Sequence, residues 1–336
     1  MAKKNKKFSF DLLTLALVAV GYVLVGYLLY SGSLSRQVSN MLIPISVYII
    51  LAVSLNLVVG LLGELSLGHA GFMSVGLFSG CLLSIALSSL LPAPIRLPLC
   101  MIFGGLFAAL FGFMVGLPAL RLKGDYLAIV TLACGEIIKN IITNLSFTGG
   151  ALGLNTNAIY SNAKTLLPYA GILVLLTVIV MMNLKKSKHG RAIMAIRDNR
   201  IAAESVGINV TRFKLTVFML AAFFAGAAGT LYGHFFANVK AASFDYNMSI
   251  EILVIVVLGG MGSVPGSILA AIVLTALPEA MREFSDYRML LYAVVLILVM
   301  LVTNNPRLKE LFGRIRPSNF LRRKSSPSGD SGKERA

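Results

Sequence analysis

The chain has 336 residues, of which 57% are hydrophobic and 13% charged, with a mean hydropathy of +0.83 and a formal charge of +16. Its apolar residues fall in runs of roughly twenty, the length a helix needs to cross about 30 Å of hydrocarbon. Continuous runs without two-residue alternation exclude a barrel, so the fold class is all-α, a polytopic helical membrane protein. The basic residues cluster at the ends of the apolar runs, which makes them a topology signal and argues for contact with membrane lipid rather than nucleic acid.

The segment from Met1 to Lys7, followed by an apolar run to Tyr30, is too long for a signal peptide and reads as an uncleaved first helix. Further runs predict helices near 41–63, 68–90, 98–118, 125–145, 166–184, 214–236 and 288–303, after the first near 10–30. The piece 243–283 contains GGMGSVPGS, Gly259 to Ser267, whose glycines and proline stop a smooth helix. It is expected to form two short spans, 243–258 and 266–283, or a re-entrant pair.

A ten-helix arrangement with both termini cytoplasmic puts 23 of the 30 Lys and Arg residues inside, whereas nine crossings put the basic tail outside. The resulting organisation is a transmembrane body over 1–305, a cytoplasmic loop at 185–213, and a basic tail at 306–336 whose composition predicts disorder.

Between the second and third runs, Glu64 and His69 sit among glycines in GLLGELSLGHAGFMSVGLFSG. Ionisable groups at membrane depth are functional candidates, and an ordinary turn with Glu64 at headgroup level is the alternative. In the fifth run Glu136 can pair with Lys139 or Asn140 along its own helix, either lining a polar route or letting Lys139 snorkel. The following loop, NLSFTGGALGLNTNAIYSNAK, faces outside, close to where a solute would enter.

Glycine pairs such as Gly76/Gly80 and Gly112/Gly116 follow the spacing of close helix packing. Three scattered histidines and the unpaired Cys81, Cys100 and Cys134 support neither a metal site nor a disulfide framework. There is no phosphate-binding G-x-x-x-x-G-K-[ST] sequence, so any ATP must be bound by another chain.

The loop KKSKHGRAIMAIRDNRIAAESVGINVTRFK is longer than a chain reversal requires and carries its own helical pattern. It predicts two short helices, at Arg191–Arg197 and Asn199–Val206. Asp198 or Asn199 supplies an N-cap, and Gly207 takes the left-handed position after the second helix. Ile193, Ile196, Ala203 and Val206 share a face, surrounded by Arg191, Arg197, Asp198, Arg200 and Glu204. This reads as a docking platform for a soluble motor, with adsorption to anionic lipid as the alternative.

Four stretches resemble the M-type (LivM-like) permease subunits of branched-chain amino-acid ABC importers. They are LNLVVGLLGELSLGHAGFMSVG; LRLKGDYLAIVTLACGEIIKNI with TGGALGL after it; GRAIMAIRDNRIAAESVGINVTRFKLTVFMLAAFFAGAAGTLYG; and LGGMGSVPGSILAA. Together they cover most of residues 40–275. The resemblance implies a multi-pass bacterial inner-membrane permease with no chemistry or cofactor of its own. It implies pairing with a sister H-type permease, two cytoplasmic ABC ATPases that bind ATP and Mg, and an extracytoplasmic substrate-binding protein.

The ATPase-coupling region then includes Gly190, Arg191, Ile193, Ile196, Arg197, Asp198, Arg200, Ala203, Glu204, Val206 and Gly207. Candidate pathway residues are Asn56, Glu64, His69, Glu136, Asn140, Gly259, Gly260 and Gly262. TGGALGL departs from the family's usual polar or acidic residue after TGG, which bears on cargo. A different class, an ion-coupled secondary transporter with a broken-helix site at Gly259–Gly266, would rely on Glu64, Glu136 and Glu251.

Overall fold

The structure, a computed structural model, describes residues 2–122 and 124–280 and the single positions 294 and 297. The expected run at 288–303, apart from those two positions, and the tail 306–336 lie outside the described residues. Eleven α-helices follow in chain order among the described residues. They are α1 (Ala2–Tyr30), α2 (Arg36–Asn56), α3 (His69–Ala86), α4 (Ala93–Ala119), α5 (Asp125–Asn144), α6 (Ala163–Lys186), α7 (Lys188–Asp198), α8 (Arg200–Ser205), α9 (Val210–Phe235), α10 (Tyr246–Gly259) and α11 (Val264–Ala280).

Seven segments in this set are long and apolar enough to cross a membrane: Arg36–Leu62, His69–Ala86, Ala93–Ala119, Asp125–Asn144, Ala163–Lys186, Val210–Phe235 and Ala241–Gly259. Thr14–Tyr30 and Val264–Pro278 are shorter apolar helices. Helix α4 begins before the expected residue 98 because Pro94, in its first turn, lacks only an N–H that would have no helical partner there.

Helix α2 is the centre of the bundle. Ile50, Leu51, Ala52, Val53, Ser54, Leu55 and Asn56 are all fully buried, as expected of a helix that is covered on every side. Beside it, α3, α4 and α9 meet backbone to backbone. A Cβ added at Gly76 would lie 2.1 Å from Gly226 Cα, and one at Gly104 would lie 2.6 Å from the Gly76 carbonyl oxygen. The Thr230 hydroxyl donates across this contact to the Gly76 oxygen at 2.9 Å. Side chains of ordinary size cannot occupy such a seam, so the small-residue spacing is a packing device.

Gly76→Leu is expected to prevent accumulation of the folded chain. Overpacking costs about 1–3 kcal/mol even where rotamers can give way, and backbone cannot. Detergent size-exclusion of the expressed variant checks this.

At one end of the bundle, β1 (Leu154–Asn155) pairs antiparallel with β2 (Asn238–Val239). The TGG segment closes α5 there: the Thr148 hydroxyl donates to the Ile142 and Leu145 carbonyls at 2.7 Å, and Gly149 turns the chain at φ +81°. At the other end lie the α2–α3, α6–α9 and α10–α11 connections, held together by the contacts described next.

Candidate functional site

Asn56 ends α2, and the chain continues through one π-helical turn, Leu57–Leu62, before Gly63 leaves it at φ +78°. Such turns are rare and concentrate at functional positions. A second break separates α10 from α11, where Gly260 and Gly262 have φ of +89° and +79°.

The two breaks face each other. The Asn56 amide oxygen accepts from Gly262 N at 2.7 Å, and its Nδ2 donates to the Ser263 carbonyl at 3.2 Å and to Ser267 Oγ at 2.8 Å. A Cβ on Gly60 would lie 1.9 Å from Asn56 Oδ1 and 2.2 Å from Gly262 N, so only glycine allows this approach.

The loop helices are built by local caps. Ser187 Oγ accepts from Gly190 N at 3.0 Å to start α7, and Asn199 Oδ1 accepts from Ala202 N at 3.1 Å to start α8. Gly207, at φ +83°, donates to the Glu204 carbonyl while Ile208 N donates to the Ala203 carbonyl. This paired bonding is the Schellman ending that glycine permits. Gly190 turns the tight α6–α7 corner: a Cβ there would be 1.9 Å from the Leu184 oxygen.

Ile193, Ile196 and Ala203 are buried, so the expected apolar face is spent on seating the loop against the body of the chain. Val206 does not share it. It lies beyond the end of α8, where the backbone has left the helix, and is 75% exposed. Ile201, which the sequence pattern did not single out, is 80% exposed and joins Val206 on the outward side.

Basic side chains tie this loop to both breaks. Arg197 Nη1 donates to the Gly60 carbonyl at 3.2 Å, and its aliphatic stem covers Gly63 so closely that a Cβ there would be 2.4 Å from Arg197 Cγ. Its Nη2 also pairs with Asp198 at 2.9 Å, and Arg200 pairs with Glu204 at 2.9 Å. Lys185 Nζ donates to the Gly262 carbonyl at 2.6 Å. Glu64, just past the first break, forms an ion pair with the buried Lys214 of α9.

Asn56, Gly260, Gly262 and Arg197 therefore belong to one cluster with Glu64 at its edge, whereas the other four expected pathway residues make different contacts. His69 is a buried core histidine whose Nε2 is 2.9 Å from Ser54 Oγ. Glu136 pairs with Lys139 and accepts from Tyr246 N at 2.9 Å, which caps the start of α10. Asn140 is exposed. Gly259 packs on Gly266, where a Cβ would be 1.7 Å from the Gly259 oxygen.

A family described as "Branched-chain amino acid transport system / permease component" matches residues 37–302, which is most of the chain. The chain belongs to this family of transport-system permease components. This permease is 36% identical to the high-affinity branched-chain amino acid transport system permease protein LivM of Salmonella typhimurium, over 89% of this chain and 73% of that one. It is 37% identical to LivM of Escherichia coli over 76% of this chain and 66% of that relative. The permease also resembles the LivH permease protein of the Escherichia coli branched-chain system, at 22% identity over 76% of this chain and 89% of that one. No solved structure matches it.

Proposed function

We propose that the chain is the M-type permease subunit of an ABC importer that carries branched-chain or related amino acids across the bacterial inner membrane. Its partners are an H-type permease, two cytoplasmic ATPases that bind ATP and Mg, and an extracytoplasmic binding protein. The chain itself supplies a path and performs no covalent chemistry.

One observation carries this reading: the α7–α8 loop is folded, seated on the body by Ile193, Ile196 and Ala203, and hydrogen-bonded through Arg197 to the π-helical turn. With the N-terminus cytoplasmic, this loop projects toward the ATPases. Closure of an ATPase pair on a rigid loop is then transmitted directly to the two helix breaks as a displacement of packed helices. A secondary-transport reading is weaker, because two of the three carboxylates it would rely on, Glu64 and Glu136, are each held in an ion pair with a lysine.

The outward pair Ile201 and Val206 supplies the apolar anchor for docking. Introducing aspartate at both positions is expected to weaken ATPase co-purification roughly tenfold or more, since buried interface anchors carry about 2 kcal/mol or more each. Their exposure means that insertion and folding should be unaffected. Pull-down from mild detergent measures it, and retention of both ATPases by the double variant would refute the docking role.

A further inference from the structure

Three carboxylates, Glu64, Glu136 and Glu251, lie in or beside the apolar spans, and their surroundings differ. Glu64 and Glu136 pair with Lys214 and Lys139. Glu251, in the second turn of α10, forms no ion pair among the described residues. Among the described residues, its Oε2 accepts from the Tyr48 hydroxyl of α2, at 3.2 Å. It lines a cavity of about 250 Å³ between α2, the end of α9 and the start of α10, at the end of the bundle opposite the α7–α8 loop.

The rest of the lining is two-sided. Tyr232, Phe244 and Met248 give an aromatic and thioether wall, with Tyr232 and Phe244 rings 6.3 Å apart at an edge-on 79°. Asp245 lies at the rim, but both its oxygens are occupied: Oδ1 caps Met248 N at 3.1 Å and Oδ2 accepts from Asn247 Nδ2 at 2.7 Å. Its charge still adds negative potential at the mouth, which attracts cations.

We propose that this cavity is a subsite on the translocation path for solutes bearing a primary ammonium and an apolar side chain. Glu251 receives the ammonium, and Tyr232, Phe244 and Met248 receive the apolar part. The inference deepens the importer reading and rests on it.

A half-buried carboxylate with a single hydroxyl donor keeps acceptor capacity for a three-donor ammonium, and charge-assisted hydrogen bonds of that kind are about twice as strong as neutral ones. The volume lies just below the roughly 300–1,000 Å³ that accommodates drug-sized ligands, which suits a free amino acid rather than a nucleotide.

The test uses the complete complex, reconstituted in proteoliposomes with its permease partner, ATPases and binding protein. Radiolabelled leucine uptake and ATP hydrolysis are measured together. Glu251→Gln is expected to lower leucine carried per ATP hydrolysed by about tenfold or more, the consequence of losing one charge-assisted bond. Glu251→Asp should recover most of the uptake.

Met248→Trp, which fills the cavity without altering the carboxylate, is expected to block uptake while hydrolysis continues. Wild-type uptake in either Glu251→Gln or Met248→Trp overturns the proposal, as does an Asp variant as inactive as Gln. A wild-type complex with no ATP-dependent leucine uptake overturns the importer reading itself, and this inference with it.

Discussion

Gly60→Val is expected to abolish ATP-driven uptake while leaving the chain in the membrane and associated with its partners. The new Cβ would meet Asn56 Oδ1 at 1.9 Å and Gly262 N at 2.2 Å, so the buried 2.7 Å bond between those two atoms cannot survive. Leaving such groups unpaired costs about 1–3 kcal/mol. The overpacking adds a comparable amount.

The consequence reaches the loop because Arg197 binds the carbonyl of this same residue. Both helix breaks and their link to α7 would be displaced by one substitution. Uptake in proteoliposomes should fall by roughly a hundredfold, corresponding to about 2.8 kcal/mol. Uptake that stays within a few-fold of wild type would show that the contact between the breaks is dispensable for transport.

The second large effect concerns Glu64 and Lys214. Their side chains are only 16% and 4% exposed, and among the described residues Glu64 Oε2 has no hydrogen-bond partner beyond the ion pair made by Oε1. Lys214→Met leaves a buried carboxylate without its cation, and removing one partner of a buried pair costs about 3–5 kcal/mol. Replacing both, Glu64→Leu with Lys214→Met, removes the uncompensated charge and should recover most of that loss. Thermal unfolding of the purified single and double variants measures the difference. Equal destabilisation in Lys214→Met and in the double variant would show that the methylene stem of the lysine, rather than its charge, holds α9 to the break.

The apolar helices among the described residues were legible because a span must be a long apolar run, and the loop caps were legible because Asn199 and Gly207 have local conformational preferences that need no partner. The side on which the loop docks was not. Helix α8 has six residues, fewer than two turns, so its periodicity could not separate Ile201 from Val206 or place either relative to Ala203.

Asn56, Gly260 and Gly262 could be named from the sequence, but their meeting could not, since about 200 residues separate the partners and no local pattern encodes such a contact. For the same reason Lys185 was read only as a topology charge, and Ser263 and Ser267 only as part of a helix stop. The π-helical turn was hidden too, because the contact it makes through Gly60 with Gly262 lies about 200 residues away in the chain. The sequence offers Glu136 as a pathway residue, and its use as a cap for α10 depends on a strand-linked end of the bundle that lies beyond its own helix.

The glycine seam joining α3, α4 and α9 has a mechanical consequence. Helices separated by interdigitating side chains can slide by exchanging rotamers, but backbones in direct contact have no such compliant layer between them. These three helices should therefore behave as a single strut. Any shape change that opens a path must be taken up elsewhere, in α2, α10, α11 and the interrupted turns that join them, and slow amide deuteration of the strut beside faster deuteration around residues 57–63 and 259–263 would be its signature.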